Sequence, residues 1–115
     1  DTIRRLQAYE AAGADVLYAP GLRNLDEVRH VTSVLKRPFN VVTGWLDPSI
    51  SAAQLADAGA KRISVGGALS RLALAAFVNA GRAMKDDGSF AWMRDMMAFA
   101  EVRKMLGAGA GASRS

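Results

Sequence analysis

Three short apolar runs each end in residues that let another molecule come close to the backbone. Pro20 and Gly21 follow the run Asp15–Ala19, Gly44 follows Phe39–Thr43, and Gly66 and Gly67 follow Arg62–Val65. If Gly67 opens a helix, its N–H group and those of Ala68 and Leu69 point outward at the positive end of the helix dipole. A phosphate or a carboxylate would then be held without a charged side chain. The plainer reading is that the glycines serve tight turns and close helix packing. VGG alone matches neither the GxGxxG fingerprint nor a P-loop, and both readings stay open. Asn40 is the polar residue of interest within a run. Strand alternation puts Asn40, Val42 and Gly44 on one face and Phe39, Val41 and Thr43 on the other. Its amide suits a substrate oxygen or the neighbouring backbone equally well, and Ser64 carries the same two readings.

Other chemistry is scarce. His30 is the only histidine and lies mid-helix between Arg29 and Val31, where a solvent-facing role is the simpler reading. No carboxylate stands at a strand end, since Asp15 begins its run and Asp57, Asp86 and Asp87 belong to helix or turn. The sequence therefore offers no metal site and no acid/base pair, and most of the chemistry of an enzyme would lie elsewhere. With no cysteine, a disulfide framework, a thiolate zinc site and a cysteine nucleophile are excluded, which fits a reducing compartment. The fifteen basic residues are dispersed among eleven acidic ones, so the net charge of +4 forms no stripe for nucleic acid. No apolar run is long enough to span a bilayer, and DTIRRLQAYE lacks the organisation of a signal peptide. A soluble, cytoplasmic protein is expected.

The elements that must position these residues alternate. Ile3, Leu6 and Tyr9 recur at near-helical spacing over Thr2–Ala12, with Asp1 as N-cap and Gly13 as the closing glycine. Asn24 caps a second helix whose inner face uses Leu25, Val28, Val31 and Leu35, and Pro38 limits it. Ser51 opens a third through Ala58, closed by Gly59; a longer helix follows from Ala68 to Met84, broken by Asp86, Asp87 and Gly88. Between them the runs from Asp15, Phe39 and Arg62 read as strands, short and apolar enough to pair in parallel with both faces covered. AAGADVLYAPG from Ala11 is echoed by DAGAKRISVGG from Asp57, one αβ pair further on. Such an echo suits a (β/α) barrel, and a doubly wound sheet would also produce it. In either, a ligand sits beyond the carboxyl ends of the strands, so the three glycine-bearing loops share one rim.

A last helix is expected from about Phe90 to Leu106. Phe90, Trp92, Met93, Met96, Met97, Phe99, Val102, Met105 and Leu106 cover more than one of its faces, more than a small domain buries. It should pack on another chain or on residues outside this sequence. GAGAGASRS reads as a disordered tail. The division expected is therefore 1–88 for the α/β part, 89–106 for a packing or oligomerisation helix, and 107–115 for the tail. Three strands cannot close a barrel, which takes eight strands and roughly 250 residues. Together with the missing initiator Met, this suggests a chain cut from something longer.

RRLQAYEAAGADVLYAPGL, followed by RPFNVV, AAQLADAGA, KRISVGGALSRLALAAF and the DDGSF break, resembles the carboxyl-terminal part of the isocitrate lyase and phosphoenolpyruvate mutase superfamily. The resemblance runs from Asp1 to about Phe90. It implies part of a (β/α)8 TIM barrel, with the three parallel strands as strands six to eight, and a carboxyl-terminal helix exchanged between subunits of a homo-oligomer. It implies cleavage or formation of C–C or P–C bonds in small 2-oxo or 2-hydroxy carboxylic acids, with Mg²⁺ holding an oxyanion or enolate. The metal-holding carboxylates and the mobile catalytic loop belong to the half of the barrel not in this sequence, so the 115 residues alone should be inactive. The mutase branch tends to carry a glutamate at the end of strand six, where this chain has Ala19 and Pro20, and a decarboxylase-like or lyase-like branch is the better match. Pro20, Gly21, Asn40, Gly44, Gly66 and Gly67 match rim positions of the pattern, which makes them the candidate substrate contacts. Two alternatives remain: a phosphate-binding barrel piece, and a non-catalytic module that associates through its last helix.

Overall fold

A computed structural model describes residues 1–110 of the chain. Helix α1 (Thr2–Ala11) leads to β1 (Leu17–Tyr18), α2 (Leu25–Ser33), β2 (Phe39–Val42), a 3-10 turn (Thr43–Trp45), α3 (Ala52–Asp57) and β3 (Arg62–Ser64). Then come α4 (Ala68–Asp87), a second 3-10 turn (Ala91–Asp95) and α5 (Phe99–Ala110). The strands form one sheet in the order β1-β2-β3, both pairs parallel. Successive crossovers in one direction, each right-handed, put their helices on the same face of a sheet, whereas a doubly wound sheet reverses direction. Helices α2 and α3 do lie side by side, and the sheet runs in one direction without reversal, the order of consecutive strands in a barrel.

The sequence makes this face by alternation. Leu17, Phe39 and Val41 point to the helices and are almost fully buried with Leu6, Val28, Val31, Leu55 and Ala58. The helix ends fix where each strand starts. Gly13 and Gly59 adopt φ +99° and +96° and close α1 and α3 with the same pair of bonds: Gly13 N–H to Glu10 O and Ala14 N–H to Tyr9 O, and Gly59 N–H to Ala56 O and Ala60 N–H to Leu55 O. Asn24 Oδ1 accepts from Glu27 N–H to cap α2, and Ser51 and Gln54 form a reciprocal cap on α3. The Glu10 carboxylate accepts from the N–H groups of Lys36 and Arg37 at 2.7 and 2.6 Å, pinning the entry to β2.

Several boundaries differ from the sequence expectation, each for a local reason. Only Leu17 and Tyr18 of the first run pair with β2, opposite Phe39 and Asn40; Pro38, the residue before, has no N–H to offer a ladder. Thr43 leaves β2 because its carbonyl closes the 3-10 turn with Leu46 N–H. Helix α2 stops at Ser33, short of Leu35, where the hydroxyls of Thr32 and Ser33 bond back to the carbonyls of Arg29 and His30. The single helix expected from Phe90 to Leu106 is a 3-10 turn and α5, separated at the extended Met96. Apolar residues three apart at Phe90, Met93, Met96 and Phe99 suit three residues per turn as well as 3.6. The expected tail is helical through Ala110, and its last five residues, 111–115, lie outside the described residues.

Contacts divide the chain into two compact units, Asp1–Leu72 and the residues from Ala73 onward, with the boundary inside α4. The first holds the sheet and the core. In the second, Phe77, Phe90, Met96, Phe99 and Leu106 are all more than half exposed.

Candidate functional site

The face of the sheet turned away from α2 and α3 carries a polar row. Register places Tyr18 opposite Asn40 and Asn40 opposite Arg62, with Val42 opposite Ser64 one step nearer the rim. Asn40 is 5% exposed and is the one buried polar residue among those described. Its amide is engaged at both ends. Arg62 Nη1 donates to Asn40 Oδ1 at 3.1 Å, Asn40 Nδ2 donates to Ser64 Oγ at 3.0 Å, and the Ser64 hydroxyl donates to Val41 O at 3.4 Å. Burying an amide without partners costs about 1–3 kcal/mol, so these bonds are what allow a polar side chain in this position.

Above the row lie the ends of the strands. Pro20 and Gly21 follow β1, Gly44 sits in the 3-10 turn after β2, and Gly66 and Gly67 join β3 to α4. Gly66 has φ +53°, and an added Cβ would meet only Val42 Cγ2 at 3.6 Å, so backbone conformation and not crowding explains this glycine. Gly21, at φ +95°, is likewise a turn glycine with open space beside it, while Gly44 and Gly67 have neither a left-handed backbone nor a close neighbour. A cleft of about 330 Å³ runs between the turn after β2 and the start of α4, touched by Thr43, Gly44, Asp47 and Ala68. Pro20 and Gly21 line a separate hollow of about 310 Å³ with Thr2, Glu27 and His30. The structure thus gathers Asn40 with Ser64 on one face, and places Gly44 beside the α4 start; Pro20 and Gly21 stand apart from that cleft. A further cavity of about 540 Å³ belongs wholly to the second unit, around Phe77, Gly81, Met84, Trp92 and Met96.

The outward-pointing N–H groups expected at the start of α4 need correction. Of the N–H groups of Gly67, Ala68 and Leu69, that of Ala68 is already spent on Val65 O at 3.1 Å. Fewer donors remain there for an anion than the sequence suggested. His30 is exposed on α2, as its mid-helix position implied.

Arg62 is the participant that the sequence reading passed over as a strand start. Polar Arg62 and Ser64 alternating with apolar Ile63 and Val65 held the signal. Asp47, in the loop beside Gly44, has its carboxyl held below the ordinary 3.8 by the Ser49 hydroxyl and then by the Ser49 N–H. Among the described residues no three His, Asp or Glu side chains come together in a way that would hold a metal. The rim's donor set of amide, hydroxyl and guanidinium does not suit Mg²⁺, which takes carboxylate oxygens. No described helix is long and apolar enough to cross a membrane.

Parallel strands with glycine-bearing loops at their carboxyl ends, over a polar row, are the arrangement of an α/β barrel, the class in which sites lie at that end of the strands. The phosphoenolpyruvate phosphomutase family profile matches residues 1–85, and the chain belongs to that family. It is 32% identical to a 2-methylisocitrate lyase of Shewanella oneidensis over 91% of its own length and 37% of that protein. Its fold matches a Burkholderia cenocepacia J2315 protein provisionally assigned as a lyase/mutase, with TM-score 0.86 and 45% identity, covering 93% of this chain and 39% of that one. A 2,3-dimethylmalate lyase of the phosphoenolpyruvate mutase/isocitrate lyase superfamily aligns with TM-score 0.63 and 31% identity, over 95% and 42%. The chain thus spans about two fifths of the length of these relatives, which are lyases and mutases.

Proposed function

We propose that this chain supplies the carboxyl-terminal share of the active-site rim of a lyase. The reaction breaks or forms a C–C bond in a small 2-oxo or 2-hydroxy carboxylic acid through an enolate-like intermediate; P–C chemistry is the finer alternative within the same family. The observation that carries the reading is Asn40, a buried amide locked between Arg62 and Ser64 on the sheet face beneath the strand ends, in a chain whose family relatives are lyases and mutases. A row of amide, hydroxyl and guanidinium groups suits a ligand rich in acceptor oxygens.

In this role Asn40 orients a substrate oxygen, and the loops at Gly44, Gly66 and Gly67 shape the wall around it, while Pro20 and Gly21 border the separate hollow beside α1 and α2. Mg²⁺ would stabilise the developing oxyanion, held by carboxylates outside the described residues. The 115 residues alone are expected to be inactive, because three strands do not enclose a site. The exposed apolar residues of the second unit support self-association into a homo-oligomer. The phosphate-binding alternative loses support where Ala68 N–H bonds Val65 O. The test is turnover. The full-length protein, with Mg²⁺ and a panel of 2-hydroxy and 2-oxo di- and tricarboxylic acids, should release a 2-oxo acid from at least one of them. Turnover of phosphonopyruvate alone would move it to the mutase side, and binding of sugar phosphates with no cleavage would overturn the lyase reading.

A further inference from the structure

We propose that Arg62 is a positioning residue that fixes the Asn40 amide with its NH₂ group toward the rim, so that Asn40 acts on a ligand only as a hydrogen-bond donor. This rests on the reading of the polar sheet face as the pocket. The assignment follows from what each group is able to give. A guanidinium has five donors and no acceptor, so the Asn40 atom 3.1 Å from Arg62 Nη1 has to be the oxygen. A flipped amide would set donor against donor.

Direction then follows from register. Arg62 lies opposite Asn40, whereas Ser64 lies opposite Val42, one step along the strands toward their carboxyl ends. Nδ2 is therefore turned forward, toward Ser64, and Oδ1, at the other end of the amide, away from it. The hydrogen bonds run one way, from guanidinium to amide to hydroxyl to the Val41 carbonyl. One Nδ2 proton is used by Ser64 Oγ, and the second is left for a ligand. That proton is a donor complementary to a carboxylate and mismatched to an ammonium or another donor. Without Arg62 nothing in this row distinguishes the two amide orientations, because a serine hydroxyl both donates and accepts.

The readout is the Asn40 side-chain amide in ¹⁵N spectra of the full-length protein, with oxalate as the probe. In the wild type the Nδ2 protons should exchange about tenfold more slowly than those of exposed Asn79, the scale of one retained hydrogen bond, and oxalate should shift them. Arg62→Met should bring Asn40 exchange to that of Asn79 and weaken oxalate about tenfold, and Arg62→Lys should restore most of both. An Asn40 amide unchanged in R62M, with oxalate affinity within about twofold, overturns the assignment. Should R62M not fold, the wild type decides: Asn40 protons exchanging as fast as those of Asn79 overturn it equally. Oxalate failing to bind a wild type whose Asn40 amide is locked overturns the pocket reading and leaves the role of Arg62 standing.

Discussion

Replacing Gly59 by alanine puts a methyl group where α2 already stands. The added Cβ would fall 2.6 Å from Thr32 Oγ1 and 2.9 Å from Thr32 Cβ, on a backbone with φ +96°. For an alanine the left-handed backbone costs about 1–2 kcal/mol. Pushing Thr32 aside breaks its 2.7 Å bond to Ala58 O, worth about 0.5–1.5 kcal/mol, and crowding adds about 1–3 kcal/mol. Gly13 is an internal control, because it has φ +99° at the same position of the echoed unit but nothing within 4 Å of an added Cβ. Gly13→Ala should therefore show the backbone cost alone, and Gly59→Ala should exceed it by about 1.5–4.5 kcal/mol, the sum of the lost bond and the crowding. Urea unfolding gives both values from midpoints at a common slope. A Thr32→Ala background removes the Oγ1 contact and the lost bond but leaves Cβ 2.9 Å from the added methyl, so the excess should shrink there and largely vanish only with Thr32→Gly, which makes the pair a coupled cycle. The same contact seats α2 against the turn into β3, which brings Arg62 opposite Asn40. Equal losses for G13A and G59A, within about 0.5 kcal/mol, would refute the packing on which that register depends.

Asn40→Asp keeps the shape but turns the rim-facing donor into a charged acceptor beside Arg62; oxalate affinity measured by calorimetry should fall by about 1–3 kcal/mol, and undiminished binding would remove Asn40 from the site. Asp47 is a depressed carboxylate, so its contribution to stability is complete above its ordinary 3.8 and is lost as pH falls through the lower folded value. Ser49→Ala should return its carboxyl toward 3.8 in a ¹³C titration, since the hydroxyl is the larger cause. Asn24→Ala leaves Glu27 N–H without its acceptor and should cost about 1 kcal/mol in urea unfolding; no loss would mean that another group caps α2. Phe77→Glu, at a residue 78% exposed in the second unit, should lower the mass seen in sedimentation, and an unchanged mass would detach this surface from self-association.

Much of the fold could be read from local chemistry. The alternation of Phe39 and Val41 with Asn40, the caps at Asn24 and Ser51, and the matched glycines 13 and 59 each act within a few residues, and each is found where the sequence put it. Parallel pairing followed from short apolar strands between helices. What escaped depends on partners far along the chain. Arg62 matters through cross-strand register with Asn40, which no local pattern encodes. Helix α2 ends early through hydroxyl back-bonding, which its apolar period does not register. Residues three apart could not distinguish a 3-10 turn from a helix after Phe90. At the start of α4 the bond from Ala68 N–H to Val65 O removes one of the three donors expected there, through a turn that the VGG string does not encode.

The central claim is that the polar row beneath these strand ends receives the substrate's oxygens. Its most direct test is a crystal structure of the full-length protein grown with Mg²⁺ and oxalate. A ligand oxygen within hydrogen-bond reach of Asn40 Nδ2, at the carboxyl ends of β2 and β3, is the predicted result. Oxalate bound at the opposite end of the sheet, or Asn40 bonded only to Arg62 and Ser64 with the ligand elsewhere, would contradict it.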